Sequence, residues 1–372
     1  MKITAVETVG VKVNRRGNWL FVRIHTDAGL VGLGEASHSG DDRLLAAAVR
    51  YRLGPQLVGQ DATRVAALSR QLPGATAGHL LRTAASALEQ ALWDLNGQAL
   101  GVPIHRFWGG PLRQRIRLYA NINRPTEDRR PESFAANARA AVAEGFQGVK
   151  LAPFDDVQPR DLDRPETWHT IELGVERVRA VRAAVGPAAL VLVDCHSRLT
   201  PAIAARVARE LAPVELFWLE DPVPHDKMEG LVEVRAGAEM MIASGERFHD
   251  RVEFRDMIVE RAADVLMPDI KHVGGYAELQ RIAALAEPWQ VLVAPHNPSG
   301  PVAAAASVQA CATLANFLIL EYAWGEVPYR ADLVDPPESI EDGFLAVPDR
   351  PGLGVRLNEA VVAEHAFDPL AD

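Results

Sequence analysis

The sequence predicts an α/β chain: a modified (β/α)₈ TIM-like barrel over residues 116–330, preceded by an α+β N-terminal block over 1–115 that residues 331–372 complete. Three observations predict it. Eight short apolar stretches recur between residues 116 and 321, with amphipathic segments between them; parallel strands need such helical crossovers. The stretches end, one after another, in a polar residue: Lys150, Asp194, Glu220, Glu246, Asp269, His296 and Glu321. From Asp194 onward these residues stand 23 to 27 apart, close to one βα unit of a barrel of roughly 200–250 residues.

The elements follow in order. Residues 1–35 read as a meander, in which "TDAGL" is the turn between two β-rich runs. Residues 42–100 read as helical. In "TAASALEQALWDLNGQALG" the apolar positions Leu88, Ala91, Leu92, Leu95 and Ala99 keep helical spacing, and Gly101 stops the helix. The barrel strands are "IRLYAN", "GVKLA", "LVLVD", "LFWLE", "MIASGE", "DVLMPD", "VLVAPH" and "NFLILE". After residue 330 the Pro-rich "VDPPESIEDGFLAVPDRPGLG" is expected to fold back on the first block.

With 48% hydrophobic and 24% charged residues, the 372-residue chain can bury an ordinary core. A net charge of −10 and a pI of about 5.6 disfavour nucleic acid and anionic membrane as partners. No apolar run reaches the roughly 18 residues of a membrane span. The N-terminus opens as an alternating strand rather than a signal peptide, so a cytoplasmic protein is expected. Cys195 and Cys311 lie far apart in apolar segments and read as small core side chains, not as a disulfide or thiolate site.

The chemistry lies at the strand ends. In "AALVLVDCHSR" strand alternation puts Asp194 and His196 on one side and Cys195 on the other. One such carboxylate is more often a solvated strand end. Recurrence on six successive strands places the set at the C-terminal mouth, where barrels keep their chemistry. Asp194, Glu220 and Glu246 would converge from three adjacent strands. Three close carboxylates repel unless a cation joins them, and all-oxygen ligation suits Mg²⁺ or Mn²⁺. A zinc site would want His-x-His or HExxH spacing, which the sequence lacks. Asp269 beside His296 would fix the imidazole tautomer and make it a general base. Lys150 and His196 stand across the mouth as cations or proton donors, and lysine is scarce here, five against thirty-four arginines. Glu321 closes the ring. A metal with opposed acid and base suits proton abstraction beside the carboxylate of a small-molecule acid, with the metal stabilising the enediolate.

The blocks "TDAGLVGLGEA", "ALWDLNGQALGVPIHRFWGG", "VDCH", "WLEDPVP", "SGER", "MPDIKHVGG", "APHNPSGP" and the final "LE" at 320–321 occur in that order. Over nearly the whole chain they resemble the enolase superfamily, in its mandelate racemase/muconate lactonizing enzyme-like branch, whose members pair a Lys or His base with Mg²⁺. The resemblance implies that the first block is a capping domain with substrate-selecting loops, placed at 14–19 and 37–42. It implies metal ligation by Asp194, Glu220 and Glu246, a His296–Asp269 dyad, and a Glu321 that hydrogen-bonds the enolised carboxylate. Racemases of the branch carry Lys-x-Lys on the second barrel strand. Here the stretch is Lys150-Leu151-Ala152, so the second lysine base is absent and Lys150 is left to contact the substrate carboxylate.

Asp194-x-His196 resembles the acid-sugar, galactonate-type dehydratases. In that reading the chain is a lyase acting on an aldonate or aldarate. His296 takes the α-proton, His196 protonates the departing 3-hydroxyl, and a 2-keto-3-deoxy acid results. The alternative is an isomerase, namely a racemase, epimerase or lactone cycloisomerase acting beside a carboxylate. A barrel that binds an acid without turnover is disfavoured by the complete ligand set. The resemblance also implies a homo-oligomer. Among the other residues, Asp221 is expected to support its neighbouring ligand, Trp218 to lie in the core, His272 to line a βα loop, and His225 and His249, which follow metal-ligand strands, to touch substrate or face water. Trp324 is expected to line the pocket.

Overall fold

The computed structural model describes residues 1–371 apart from Arg16, His38, Ser39, Leu162 and Asp163. Strands β1 (Ile3–Asn14), β2 (Gly17–Thr26) and β3 (Val31–Glu35) form an antiparallel meander. Helices α1 (Asp42–Ala47), α2 (Gly54–Leu57), α3 (Val65–Ser69) and the long α4 (His79–Leu100) follow. Leu88, Ala91, Leu92 and Leu95 of α4 are buried with Leu20, Val22 and Ile24 of β2, as their 3.6-residue spacing requires. Gly101 ends α4 in the left-handed region, φ 68°, where its N–H reaches the Gly97 and Gln98 carbonyls.

Eight parallel strands come next: β4 (Arg115–Asn121), β5 (Gly148–Leu151), β6 (Leu190–Asp194), β7 (Trp218–Glu220), β8 (Met241–Ser244), β9 (Val265–Leu266), β10 (Leu292–Val293) and β11 (Leu320–Tyr322). Each pairs with the next as far as β10. β11 pairs with β4, and a parallel bridge from Val293 to Phe317 closes the ring. Helices α5 (Pro131–Ala143), α6 (Pro165–Val185), α7 (Pro201–Leu211), α8 (Met228–Gly237), α9 (Arg251–Val259), α10 (Tyr276–Ala286) and α11 (Pro301–Cys311) fill the seven crossovers. Four of them open on proline, which lacks only an N–H that the first helical turn leaves unused.

Alternation decides which side chains face the barrel axis. Val191, Val193 and Cys195 pack outward with the helices, and so do Val149, Leu151, Leu219 and Leu320. Tyr119, Leu192, Trp218, Ala243 and Ile319 form a separate cluster inside the ring. The residues two positions beyond those inward side chains, among them Asp194, Glu220 and Glu321, therefore point to the axis as well. The expected strands of "MIASGE", "DVLMPD" and "VLVAPH" are shorter in the structure. Their ladders stop at Ser244, Leu266 and Val293, so Glu246, Asp269 and His296 leave from the loops just above.

The tail serves both parts of the molecule. After β12 (Val334–Asp335), the hairpin of β13 (Ile340–Glu341) and β14 (Phe344–Ala346) adds to the N-terminal half of β4. β15 (Arg356–Leu357) pairs with β12. After α12 (Glu359–His365), β16 (Ala366–Phe367) pairs with β1.

Buried carboxylates join the first block to the barrel. Glu35, at the end of β3, accepts from Gly300 N and Ala303 N at the start of α11, both at 2.7 Å. Glu89 of α4 accepts from Tyr276 N at 2.8 Å and Ala277 N at 3.1 Å, the first amides of α10. Gly275 has to be glycine there. Its φ is 85°, and a Cβ would stand 1.9 Å from Glu89 Oε2.

Burial pushes Glu89 up to about 7 from its ordinary 4.5, against those amide donors. The folded chain thus holds this proton more tightly than the unfolded chain does. The resulting stabilisation is complete below pH 4.5 and is lost as pH rises to about 7, a change of about 3 kcal/mol. Urea unfolding across that window is expected to show Glu89→Gln gaining on wild type by that amount as pH rises. A constant difference would contradict the assignment.

Candidate active site

The mouth of the barrel gathers every strand-end residue singled out above. Asp194, Glu220 and Glu246 each offer a carboxylate oxygen within 4.8 Å of the other two, the one such group of three among the described residues. Asp194 and Glu220 are register partners on β6 and β7. The Lys150 ammonium, 2% exposed, lies 2.7 Å from Glu220, 3.0 Å from Glu321 and 3.5 Å from Asp194. Burial opposes its charge, but Glu220 and Glu321 outweigh that and hold it well above the usual lysine range. Burial and Asp194 push Glu220 up, more than Lys150 pulls it down. Four carboxyl groups, those of Asp194, Glu220, Glu246 and Glu321, thus share this corner of the mouth with one ammonium.

The residues fit a divalent cation. Glu246 Oε2 is buried and receives no hydrogen bond, although His296 Nε2 approaches it to 3.1 Å. The donors are all carboxylate oxygens, the set that hard ions prefer.

Two histidines flank this trio from opposite sides. His296 Nδ1 lies 2.8 Å from Asp269 Oδ2, and its Nε2 faces Glu246. Burial lowers its basicity, but Glu246 and Asp269 more than compensate and leave it raised. Asp269 is fully buried. Lys271, His272 and His296 overcome that burial and hold it well below the carboxylate range. His196 Nε2 lies 3.0 Å from Asp194, and its Nδ1 lies 2.5 Å from Asp155. Glu321 accepts from Asn121 Nδ2 at 2.7 Å and from Asn297 N at 3.0 Å.

His196 arrives by a route other than strand alternation. The ladder ends at Asp194, and His196 and Ser197 both adopt left-handed backbone, φ 46° and 58°. Neither is glycine, so each costs about 1–3 kcal/mol. The turn is held by His196 N donating to Asp194 Oδ1 and Ser197 N donating to the Asp221 carbonyl, both at 2.8 Å. Asp221 supports the site differently from a ligand partner: its carboxylate accepts from Ser244 Oγ at 2.5 Å.

Four residues were not singled out in the sequence. Asp155 contacts His196, and Lys271 Nζ lies 3.0 Å from Asp269 Oδ2, the oxygen that also orients His296. Asn121 and Arg124 complete the set. The scarcity of lysine and the position of Lys271 two residues after Asp269 were an available signal. Trp324 is the clear correction. Its indole donates to Glu144, just past α5, at 2.7 Å, and it is not among the residues that line the cavity at His296.

A cavity of about 80 Å³ reaches His296 from the first block. Gly17, Asn18, Trp19 and Ser37 line it, opposite Arg124 and Lys271. These belong to the two expected substrate loops, of which Arg16, His38 and Ser39 lie outside the described residues. Grooves of about 900 and 1190 Å³ open elsewhere and contain none of the eight expected site residues.

The chain is similar to known proteins along nearly its whole length. Residues 4–109 match the N-terminal domain of mandelate racemase / muconate lactonizing enzyme, and residues 133–361 match the enolase C-terminal domain-like model. A D-galactonate dehydratase of Verminephrobacter eiseniae is 34% identical over 99% of this chain and 95% of its own. A D-xylonate dehydratase of Haloferax volcanii is 34% identical over 99% and 89%. The solved structure of a mandelate racemase/muconate lactonizing enzyme from Jannaschia sp. CCS1 superposes with a TM-score of 0.87 at 32% identity, covering 99% of this chain and 98% of that one. No helix among the described residues is long and apolar enough to cross a membrane. With both domain types matched in order over a closed barrel and its meander, the chain belongs to the mandelate racemase/muconate lactonizing enzyme family of enolase-like proteins.

Proposed function

We propose that the chain is a Mg²⁺-dependent sugar-acid dehydratase that converts an aldonate or aldarate to a 2-keto-3-deoxy acid. One observation carries the reading. Two histidines, each backed by its own aspartate, face the carboxylate trio from opposite sides. Elimination needs such a pair, a base for the α-proton and an acid for the departing hydroxyl. The two relatives that are 34% identical to this chain are dehydratases of sugar acids by name.

Asp194, Glu220 and Glu246 would hold the metal, and a divalent ion there supplies positive charge beside a substrate carboxylate as its α-proton leaves. Asp269 keeps the His296 proton on Nδ1, so Nε2 accepts the proton from C2. His196 gives a proton to the C3 hydroxyl, the C3–O bond breaks, and water departs. The enol left behind gains a proton at C3 and loses one from its C2 hydroxyl. Lys150 is the donor to the substrate carboxylate. Burial raises Glu321, but Lys150 and His296 outweigh that and leave it below its usual range, so it accepts hydrogen bonds rather than giving them. Ala152, where racemases of the branch carry a second lysine, leaves the β5 side without a second base.

Proton NMR in D₂O with Mg²⁺, over a set of aldonic and aldaric acids, tests the reading. The expected result is loss of the α-proton signal with a new deoxy methylene. Exchange at C2 without loss of water from any acid in the set would replace dehydration by isomerisation. The same reading includes a homo-oligomer, whose mass sedimentation of the purified chain would give.

A further inference from the structure

We propose that Asp155 is the positioning residue of His196 and completes a second His–Asp dyad, built on β5 and β6 as the first is built on β9 and β10. The inference rests on the reading of His196 as the acid.

The two dyads use the same geometry. His296 turns Nδ1 to Asp269 and Nε2 to the trio, and His196 turns Nδ1 to Asp155 and Nε2 to the trio. Asp155 lies in the turn after β5 and is fixed from behind. Its Oδ2 accepts from Asn123 Nδ2 at 3.2 Å and lies 3.5 Å from Arg129 Nη1. Arg129 in turn donates to Asn123 Oδ1 at 3.1 Å and to the Ala152 carbonyl at 2.5 Å. Asn123 N donates to Asn121 Oδ1 at 3.0 Å, and Asn121 Nδ2 donates to Glu321. A continuous hydrogen-bonded belt thus runs along the β4–β5 side of the mouth from Glu321 to His196.

The left-handed backbone at His196 and Ser197 sets where the ring emerges. It does not set which ring nitrogen faces the trio. Asp155 at Nδ1 does, because it accepts the Nδ1–H and so leaves Nε2 on the side of Asp194 and the trio. The acid's proton is then presented from Nε2, toward the reacting side. His225, by contrast, stands edge-on to Phe248 with ring centroids 6.3 Å apart.

The test uses the full-length Mg²⁺-loaded enzyme and reads two rates from one NMR experiment in D₂O: deuterium entry at C2 and appearance of the deoxy product. Asp155→Asn is expected to slow product formation roughly 10–100-fold and to leave C2 exchange at the wild-type rate. A residue that merely supports the fold would lower both together, and that result overturns the proposal, as does Asp155→Asn turning over like wild type. Asn123→Ala, which loosens Asp155 from behind, is expected to show the same split in smaller measure and serves if the first variant does not fold. An Asn123→Ala variant whose two rates fall together also overturns the proposal. His196→Asn separates the two levels. If it eliminates water normally, the acid assignment itself fails. If it blocks elimination and Asp155→Asn does not, only the dyad fails.

Discussion

His296→Asn is expected to abolish C2–H exchange and water loss together, each by on the order of 10³-fold or more, with the fold intact. A general base contributes typically about 10²–10⁴-fold, and among the described residues the nearby amines are held by carboxylates: Lys271 lies 3.0 Å from Asp269. Lys150 is held between Glu220 and Glu321, and the second lysine position is Ala152. Asparagine retains a donor toward Asp269 Oδ2, so the buried carboxylate keeps a partner and stability changes little. Asp269→Asn is expected to lower both rates as well, because an amide no longer obliges the ring proton to stay on Nδ1. Loss of both rates in His296→Asn contrasts with the split expected when the opposite side of the site is altered. Full C2 exchange in purified His296→Asn would show that another group takes the α-proton.

Much of this site was legible before the fold was known, and the reason is geometric. A strand buried on both faces has no use for a charge. An apolar run ending in Asp194 or Glu220 therefore marks the place where the chain leaves the core, and period-2 alternation from Leu192 or Trp218 aims that charge at the barrel axis. The repeat of 23 to 27 residues then puts the ends on one rim. What stayed hidden depended on contacts between loops. "FDD" at 154–156 reads as a polar turn. Asp155 acquires a role only because two non-glycine residues, His196 and Ser197, adopt left-handed backbone and bring a ring across to the β5 loop. No local propensity encodes that. Ladder ends were also overrun. Glu246, Asp269 and His296 were read as the last strand residues, but pairing stops two or three positions earlier. Trp324 misled through proximity in sequence alone.

Glu246→Gln is expected to separate the metal's contribution from everything else in the mouth. Of the three carboxylates it has the fewest protein partners. Glu220 also binds Lys150 and the Trp218 indole, and Asp194 binds His196 and Lys150. In the metal-free chain the substitution relieves repulsion from Asp194 and Glu220 but gives up the charge facing His296 Nε2 at 3.1 Å, so Glu246→Gln is expected to stay close to wild type in stability. With Mg²⁺ the two separate. A ligand at about 100 times its Kd stabilises by about 2.7 kcal/mol, a rise of roughly 3 °C in Tm for a chain of this size, and only wild type is expected to show it. Activity is expected to vanish with chelator, return with Mg²⁺, and fall on the order of 10³-fold or more in Glu246→Gln, since a Lewis acid is worth several kcal/mol at the transition state. The two readouts are independent, because thermal stabilisation by Mg²⁺ needs no substrate. A wild-type chain that melts identically with and without Mg²⁺, or a Glu246→Gln variant that still gains stability from it, would mean that the trio balances its charge through Lys150 and a proton rather than through a metal.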